Sequence, residues 1–360
     1  MIIKLSKNKN LYIFHSVSKL DLSLATKHLA VMLKSGLGIQ DAIKVLSEQT
    51  PNEKLKEVFR NISKDIESGK TIAQSMRQYK KIFPEIVISV IGVGEEGASL
   101  EKNLEFLSKY LKENHELQRK IKGAMLYPMI IIAITIIELF AVVYFILPKL
   151  ESLFLGFDNI PAFTVKMLEI ASTLRENMLF IVIGCVVAIV IGRTFLNTRY
   201  GVVLKDKIIM HTPVFKDLTI KNNLALFART LAALLASGIP LERSIQIAQD
   251  IITNQTYTKI LTQLQKELSG GKTVSDILGQ HEKYFPPTYV KLLEVGEQTG
   301  TLQDNLDYLF ELYSEDVKEI SNNLATLLEP LLLVVIGLVI ALLALAIIGP
   351  IYQITGSING

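Results

Sequence analysis

The segment ALFARTLAALLASG at residues 225–238 resembles the segment SLATKHLAVMLKSG at residues 23–36, and this pair decides the fold because it reveals an internal duplication. Ser23–Pro128 and Ala225–Pro330 share 26 identities over 106 gap-free positions, at a constant shift of 202 residues. The chain therefore carries one structural unit twice. The same shift superimposes Gly69-Lys70-Thr71 on Gly271-Lys272-Thr273, Phe83-Pro84 on Phe285-Pro286, Val93-Gly94-Glu95 on Val295-Gly296-Glu297, and Asn103-Leu104 on Asn305-Leu306.

The pattern inside each copy is helical. Apolar residues such as Leu29, Leu33 and Leu37 recur at the spacing of one helix face. Ser-Gly pairs then break the helix, and Thr71 and Thr273 are placed to cap the helices that follow a glycine turn. No alternating strand pattern of useful length occurs. We therefore predict an all-α membrane protein with two homologous cytoplasmic helical bundles and three transmembrane helices.

Three apolar stretches predict the transmembrane helices. A mean hydropathy of +0.36 and a hydrophobic fraction of 49% are high for a soluble chain of 360 residues. Residues 124–147 contain Glu138 as the only charge, and residues 178–196 contain only Arg193, which can reach the interface. Residues 330–354 carry no charge. The alternative for the second stretch is a buried core helix.

Basic residues predict the orientation in the membrane, because lysine and arginine concentrate on the cytoplasmic side. They cluster before the first apolar stretch, at Lys112, Arg119, Lys120 and Lys122, and after the second, at Arg193, Arg199, Lys205 and Lys207. The expected organisation is a short N-terminal segment (1–21), a first cytoplasmic repeat (22–123), an external loop (148–177), a second cytoplasmic repeat (197–329) and an external tail (355–360).

No constellation of residues predicts catalysis, a cofactor or a metal. The net charge of +3 argues against direct nucleic-acid binding, and a single cysteine excludes a cysteine metal cluster. Gly-Lys-Thr ends a phosphate-binding loop, but the preceding glycine and strand that such a loop requires are missing. Glu95 and Glu297 are expected at turns beside helix starts, as helix caps or partner contacts. A divalent ion held by these carboxylates is the remaining alternative.

Glu138 is a separate candidate, because a carboxylate near the middle of a span is costly and often functional. One interpretation is that it meets a polar or cationic group on an incoming helix or on a second copy of the chain. The other is a protonated side chain that bonds to a neighbouring helix.

Several short motifs together resemble the type II secretion F / type IV pilus inner-membrane platform family (GspF/PilC-like). They include the segment from Phe227 to Leu241, the segment Val295-Gly-Glu-Gln-Thr-Gly-Thr-Leu302, and the closing Pro350-Ile-Tyr. The resemblance covers Leu22 to Gln353, but the stretch before Leu22 is shorter than in many secretion members. It leaves the pilus, secretion and competence branches open. The motif positions taken as partner-contact or structural candidates are Gly36, Gly94, Glu95, Pro128, Glu138, Gly238, Gly296, Glu297, Gly300, Glu329 and Pro330.

The resemblance implies a non-enzymatic platform in the bacterial inner membrane that couples a cytoplasmic assembly ATPase to the polymerisation of pilins or pseudopilins. Its implied partners are that ATPase, the pilins, other inner-membrane assembly proteins, the lipid bilayer and further copies of the chain. The alternatives are a small multispan transporter or membrane adaptor, and a membrane enzyme. A transporter would need polar residues in several spans, and only Glu138 and Arg193 qualify.

Overall fold

A computed structural model describes residues 17–146, 148–149, 162–196 and 198–358. Throughout these residues the chain is helical and contains no strand, which confirms the predicted all-α class. The rest of the N-terminal segment, the middle of the predicted external loop and the last two residues of the tail lie outside the described residues.

The first repeat is built from short helices followed by a long one. Ser18 caps the first of them, and Gly36 ends that helix at a φ of +84°. Asn52 and Thr71 cap the third and fourth helices through their side-chain oxygens. The helices are α1 (Lys19–Lys34), α2 (Ile39–Gln49), α3 (Glu53–Glu67), α4 (Ile72–Met76), α5 (Glu85–Glu96) and α6 (Leu100–Ala124), with a 3₁₀ turn at Arg77–Tyr79.

The second repeat has the same helices, and most of them begin 202 residues after their counterparts. Gly238 ends the first of these helices at a φ of +80°, and Gly300 adopts +74° at the end of a later one. In the first repeat the position of Gly300 is taken by Ala98, at a φ of +50°. The helices are α11 (Pro213–Ala236), α12 (Leu241–Ile251), α13 (Gln255–Leu268), α14 (Val274–Leu278), α15 (Pro287–Thr299) and α16 (Leu302–Ile358), with a 3₁₀ turn at Gly279–His281.

The two repeats form one compact unit, which takes the chain up to Arg119 together with Phe215–Lys318. The repeated Phe-Pro motif supplies its aromatic core. Phe285 is fully buried, and its ring lies 5.4 Å from that of Tyr257 and 5.6 Å from that of Tyr289. Phe83 packs on Phe59 in the first repeat, at 6.2 Å between ring centroids. The proline of each motif is the N-cap residue of the next helix, so the dipeptide joins a core anchor to a helix start.

A second compact unit takes Lys120–Val214 together with the residues from Glu319 on. Its helices are α7 (Leu126–Ala141), a π-helical turn at Val142–Ile146, α8 (Ala162–Glu176), α9 (Met178–Leu196), α10 (Arg199–His211) and the remainder of α16. Large apolar side chains of this unit are exposed, among them Met129 (65%), Phe180 (73%) and Val334 (70%). Such apolar exposure suits contact with lipid.

One stretch among the described residues, Leu100–Ile146, is helical, long and apolar enough to cross a bilayer. It contains the first predicted span. Helices α9 and α16 occupy the second and third predicted spans, and the membrane crossing of these two stays a prediction.

Candidate functional site

The two Gly-Lys-Thr motifs form turns that are closed by ion pairs. Gly69 and Gly271 both adopt a φ of +88°. The next residue, Lys70, folds back to Asp65 at 2.7 Å, and Lys272 reaches Glu267 at the same distance. Both lysines are therefore held by carboxylates of the preceding helix rather than pointing at a ligand.

These ion pairs affect the two carboxyl groups in the same direction. The hydrogen bond from Lys70 lowers the pKa of Asp65, and the hydrogen bond from Lys272 lowers the pKa of Glu267. A carboxyl group with a lowered folded-state pKa stabilises the fold above its unfolded-state pKa. That contribution is lost as the pH falls through the folded-state pKa.

Glu95 and Glu297 bind the backbone at the helix start that follows each Gly-Lys-Thr turn. The N–H groups of Ile72 and Ala73 donate to the Glu95 carboxylate at 2.6 and 3.0 Å. Those of Val274 and Ser275 donate to Glu297 at 2.7 and 3.0 Å. The donors that a phosphate-binding loop would offer are thus occupied by the protein's own carboxylate.

The expectation that Glu95 and Glu297 lie at turns is wrong. Glu95 lies in the last turn of α5 and Glu297 near the end of α15, so neither lies at a turn. Each caps a helix that begins 23 residues earlier in the sequence. The carboxylate still meets the positive end of a helix dipole, but the helix is a distant one in sequence.

Gly94 and Gly296 allow two helices to approach closely. A Cβ at Gly94 would lie 2.9 Å from the Cα of Leu100, and one at Gly296 would lie 2.8 Å from the Cα of Leu302. Neither glycine is among the residues with a positive φ. The reason for glycine here is therefore the close helix contact and not a positive φ.

Asn103 and Asn305 complete the arrangement and were not among the candidates from sequence. The Asn103 side-chain amide donates to the carbonyl of Val90 at 3.2 Å, and Asn305 donates to that of Leu292 at 2.8 Å. We call Gly94, Glu95 and Asn103, with their counterparts Gly296, Glu297 and Asn305, the Gly-Glu-Asn motif. In each repeat it ties the fifth helix to the helices on either side.

A buried arginine joins the two repeats and was also missed. Arg229 of α11 is 6% exposed, with its Nε 2.6 Å from a carboxylate oxygen of Glu113 and its Nη1 2.7 Å from Asp307. Its guanidinium lies 5.3 Å from the centroid of the Phe310 ring. Burial raises the pKa of the Glu113 carboxyl, and Arg229 opposes that shift. The signal in the sequence was one charge in an otherwise apolar helix face.

The remaining candidates lie in the second compact unit. Pro128 is buried near the start of α7, and Glu138 is exposed further along the same helix. Pro330 is exposed within α16, which also contains Glu329. Within the part of the chain that the structure describes, no group of three or more His, Cys, Asp or Glu side chains could hold a metal ion.

Comparison with known proteins matches both repeats to one family. The profile described as type II secretion system (T2SS), protein F, matches residues 25–148 and again residues 227–350. The two matches are separated by the same 202 residues as the internal duplication, and together they cover more than half of the chain.

Curated relatives come from both pilus and secretion machines. The chain is 28% identical to type IV pilus assembly protein PilC of Thermus thermophilus, over 94% of this chain and 84% of the relative. It is 26% identical to PilC of Pseudomonas aeruginosa, over 96% and 92%. Type II secretion system protein F of Vibrio cholerae is 25% identical over 85% and 77%. The duplicated helical repeat, its motifs and these matches agree, and the chain belongs to the type II secretion system protein F family, which includes type IV pilus assembly proteins.

Proposed function

We propose that the chain is the inner-membrane platform of a type IV pilus, type II secretion or competence machine, and that it couples a cytoplasmic assembly ATPase to the polymerisation of pilins or pseudopilins. The observation that carries this proposal is the form of α16. This helix runs for 57 residues without a break, from the Gly-Glu-Asn motif of the second repeat into the third apolar stretch. A stiff continuous helix suits the transfer of motion from the repeats to apolar helices.

The contacts at the repeated motifs support a scaffold rather than an enzyme. Lys70 and Lys272 are held in ion pairs, and Glu95 and Glu297 are bonded to backbone amides. In the described residues these groups hold helices together, and none is poised against a common point where a substrate could react. The ATPase is the proposed source of chemical energy.

Coupling can be tested with the full-length chain in lipid nanodiscs and the assembly ATPase of the same machine. We expect the platform alone to hydrolyse no ATP, and the ATPase to bind the nanodiscs and turn over faster than with empty nanodiscs. Filament assembly or secretion should also be lost when the gene is deleted. The contrary outcome is that the platform alone hydrolyses ATP and loses that activity in Lys272→Ala. That result would contradict the scaffold proposal and favour a phosphate-binding loop at Gly-Lys-Thr.

The proposed topology makes a labelling prediction. Glu96 and Gln298 are exposed and occupy equivalent positions in the two repeats, so cysteines placed there should be shielded from an impermeant thiol reagent in intact cells. A cysteine at the exposed Glu169 of α8 should be labelled. Each variant is made in a Cys185→Ser background, and permeabilised cells provide the control in which all three react. Labelling of the Gln298→Cys variant but not of the Glu169→Cys variant would contradict the proposed orientation.

The proposed role of Glu138 as a contact residue can be tested by substitution. Its side chain is exposed on α7, so we propose that it meets a polar or cationic group on a pilin helix or on another copy of the chain. We expect Glu138→Leu to leave the amount of protein in the membrane unchanged while surface filaments fall at least ~10-fold. Glu138→Gln, which keeps hydrogen bonding, separates loss of charge from loss of polarity. Normal filaments in the Leu variant would remove this role.

A further inference from the structure

The two repeats bury equivalent helix faces to different extents. Helix α6 of the first repeat covers one face of α11, the first helix of the second repeat. Glu113 contacts Arg229 at 2.6 Å, the hydroxyls of Tyr110 and Thr230 are 3.5 Å apart, and the Asn103 amide lies 3.4 Å from the carbonyl oxygen of Ser237. We call the α11 side of this contact, made by Arg229, Thr230, Ala233 and Ser237, the covered face.

The equivalent face of α1 has no such cover within the described chain. The shift of 202 maps the covered face onto Lys27, His28, Val31 and Ser35, which we call the open face. All four side chains are exposed, and Val31 is 53% exposed where Ala233 is 6%. Between α1 and α6 the open face borders a groove of about 420 Å³. Four of the groove's lining residues are basic, namely Lys27, Lys34, Lys109 and Lys112, and two, Glu101 and Glu105, are acidic.

The helix that could cover the open face is also present and also exposed. The residues of α6 that cover α11, Asn103, Tyr110 and Glu113, correspond to Asn305, Leu312 and Glu315 of α16. Glu315 and Leu312 are exposed, and the neighbouring Tyr308 is 54% exposed. We call Asn305, Tyr308, Leu312 and Glu315 the free face. Asp304 and Glu311, which are also exposed, make this part of α16 acidic.

We propose that the free face of one copy docks onto the open face of a second copy and repeats between chains the contact that joins the two repeats within a chain. Glu315 would then meet Lys27, as Glu113 meets Arg229. Asn305 would approach the carbonyl of Ser35, and Leu312 would pack beside His28.

Two features favour a second copy of the chain as the occupant. The pairing that the open face lacks is already built once inside the molecule, between segments related to both faces by the duplication. The charges also match, because the groove is rich in lysine and the exposed part of α16 carries carboxylates. The contact is heterologous, since each copy offers one face to one neighbour and the other face to the next.

Charge reversal tests this contact in the full-length chain, co-expressed in the membrane with two different affinity tags. Wild-type copies should co-purify after solubilisation. Lys27→Glu in both copies, or Glu315→Lys in both copies, should reduce co-purification by roughly 10-fold, because like charges then face each other. The matched control is Lys44→Glu on the exposed side of α2, which should have no effect.

The decisive arm co-expresses Lys27→Glu under one tag with Glu315→Lys under the other. Both possible contacts between the differently tagged chains then pair opposite charges, one with the charges exchanged and one as in the wild type, and co-purification should recover to near the wild-type amount. No association of wild-type copies, no loss in either single variant, or a loss that the mixed pair does not restore would each overturn the proposal. Loss of association in Lys44→Glu as well would also overturn it, since the effect would then be general to added negative charge.

Discussion

Gly296→Ala should lower the midpoint of thermal unfolding by roughly 5–10 °C, equivalent to about 2–3 kcal/mol. The added Cβ would lie 2.8 Å from the Cα of Leu302 and 3.1 Å from the Asn305 side-chain nitrogen. Backbone cannot move aside as a flexible side chain can, so α15 and α16 must separate. That movement also weakens the hydrogen bond from Asn305 to the carbonyl of Leu292. Circular dichroism of the full-length protein in detergent measures the shift.

Gly279→Ala is the matched control for this substitution. Its new Cβ would meet only the Cγ1 of Val290, at an ordinary contact distance of 3.5 Å. We expect its midpoint to stay within about 2 °C of the wild type. Filament assembly or secretion should follow the same order, with a large loss in Gly296→Ala alone. Equal midpoints for the two variants would show that close approach at Gly296 does not limit stability.

Arg229→Ala should be comparably severe, because it removes the cation that pairs with both Glu113 and Asp307. Removing one partner of a pair costs about 3–5 kcal/mol when the remaining charge stays buried. The side chains of Glu113 and Asp307 are 25% and 41% exposed, so we expect a smaller cost here. That cost is about 2–3 kcal/mol. The side chain also loses its contact with the Phe310 ring. We expect this variant to unfold at a lower temperature and to expose the contact between the repeats to limited proteolysis.

The pH dependence of this loss has a definite sign. Burial already raises the pKa of Glu113, and removing Arg229 leaves only the weaker influence of Lys109 to oppose the shift. A carboxyl group whose folded-state pKa is raised favours folding below its unfolded-state pKa, and that advantage is lost as the pH rises through the folded-state pKa. Arg229→Ala should therefore lose more stability in neutral buffer than in mildly acidic buffer.

Arg243→Ala is the control for the arginine, because this residue also links the repeats but does so at the surface. Its side chain is 46% exposed and lies 3.3 Å from Glu85. Exposed pairs of this kind contribute about 0–1 kcal/mol. A midpoint shift in Arg243→Ala as large as that in Arg229→Ala would show that burial is not what makes the Arg229 cluster important.

Local rules predicted the parts of the fold that depend on neighbours in sequence. Thr71 and Thr273 cap the helices that follow their glycine turns, as proposed from a hydroxyl placed after Gly-Lys. The all-helical class followed from apolar spacing. Gly94 and Gly296 were among the motif candidates because Val-Gly-Glu occurs in both copies.

Long-range pairings could not be predicted in the same way. Glu297 finds its amides 22 and 23 residues earlier, and Arg229 meets Asp307 across 78 residues. These partners depend on how helices pack, and neither periodicity nor capping rules describe packing. A single arginine on an apolar helix signals that a carboxylate partner exists, but not which one.

The constant spacing of 202 residues has a consequence for how the molecule can change over evolutionary time. In a dimer of single repeats, one substitution alters both symmetry-related surfaces at once. When two repeats share one chain, each surface is encoded separately. One surface can then become a fixed interface within the chain, while the other remains exposed and free to change in sequence. Arg229 and Lys27 occupy equivalent positions with opposite exposure, which is the divergence that separate encoding permits.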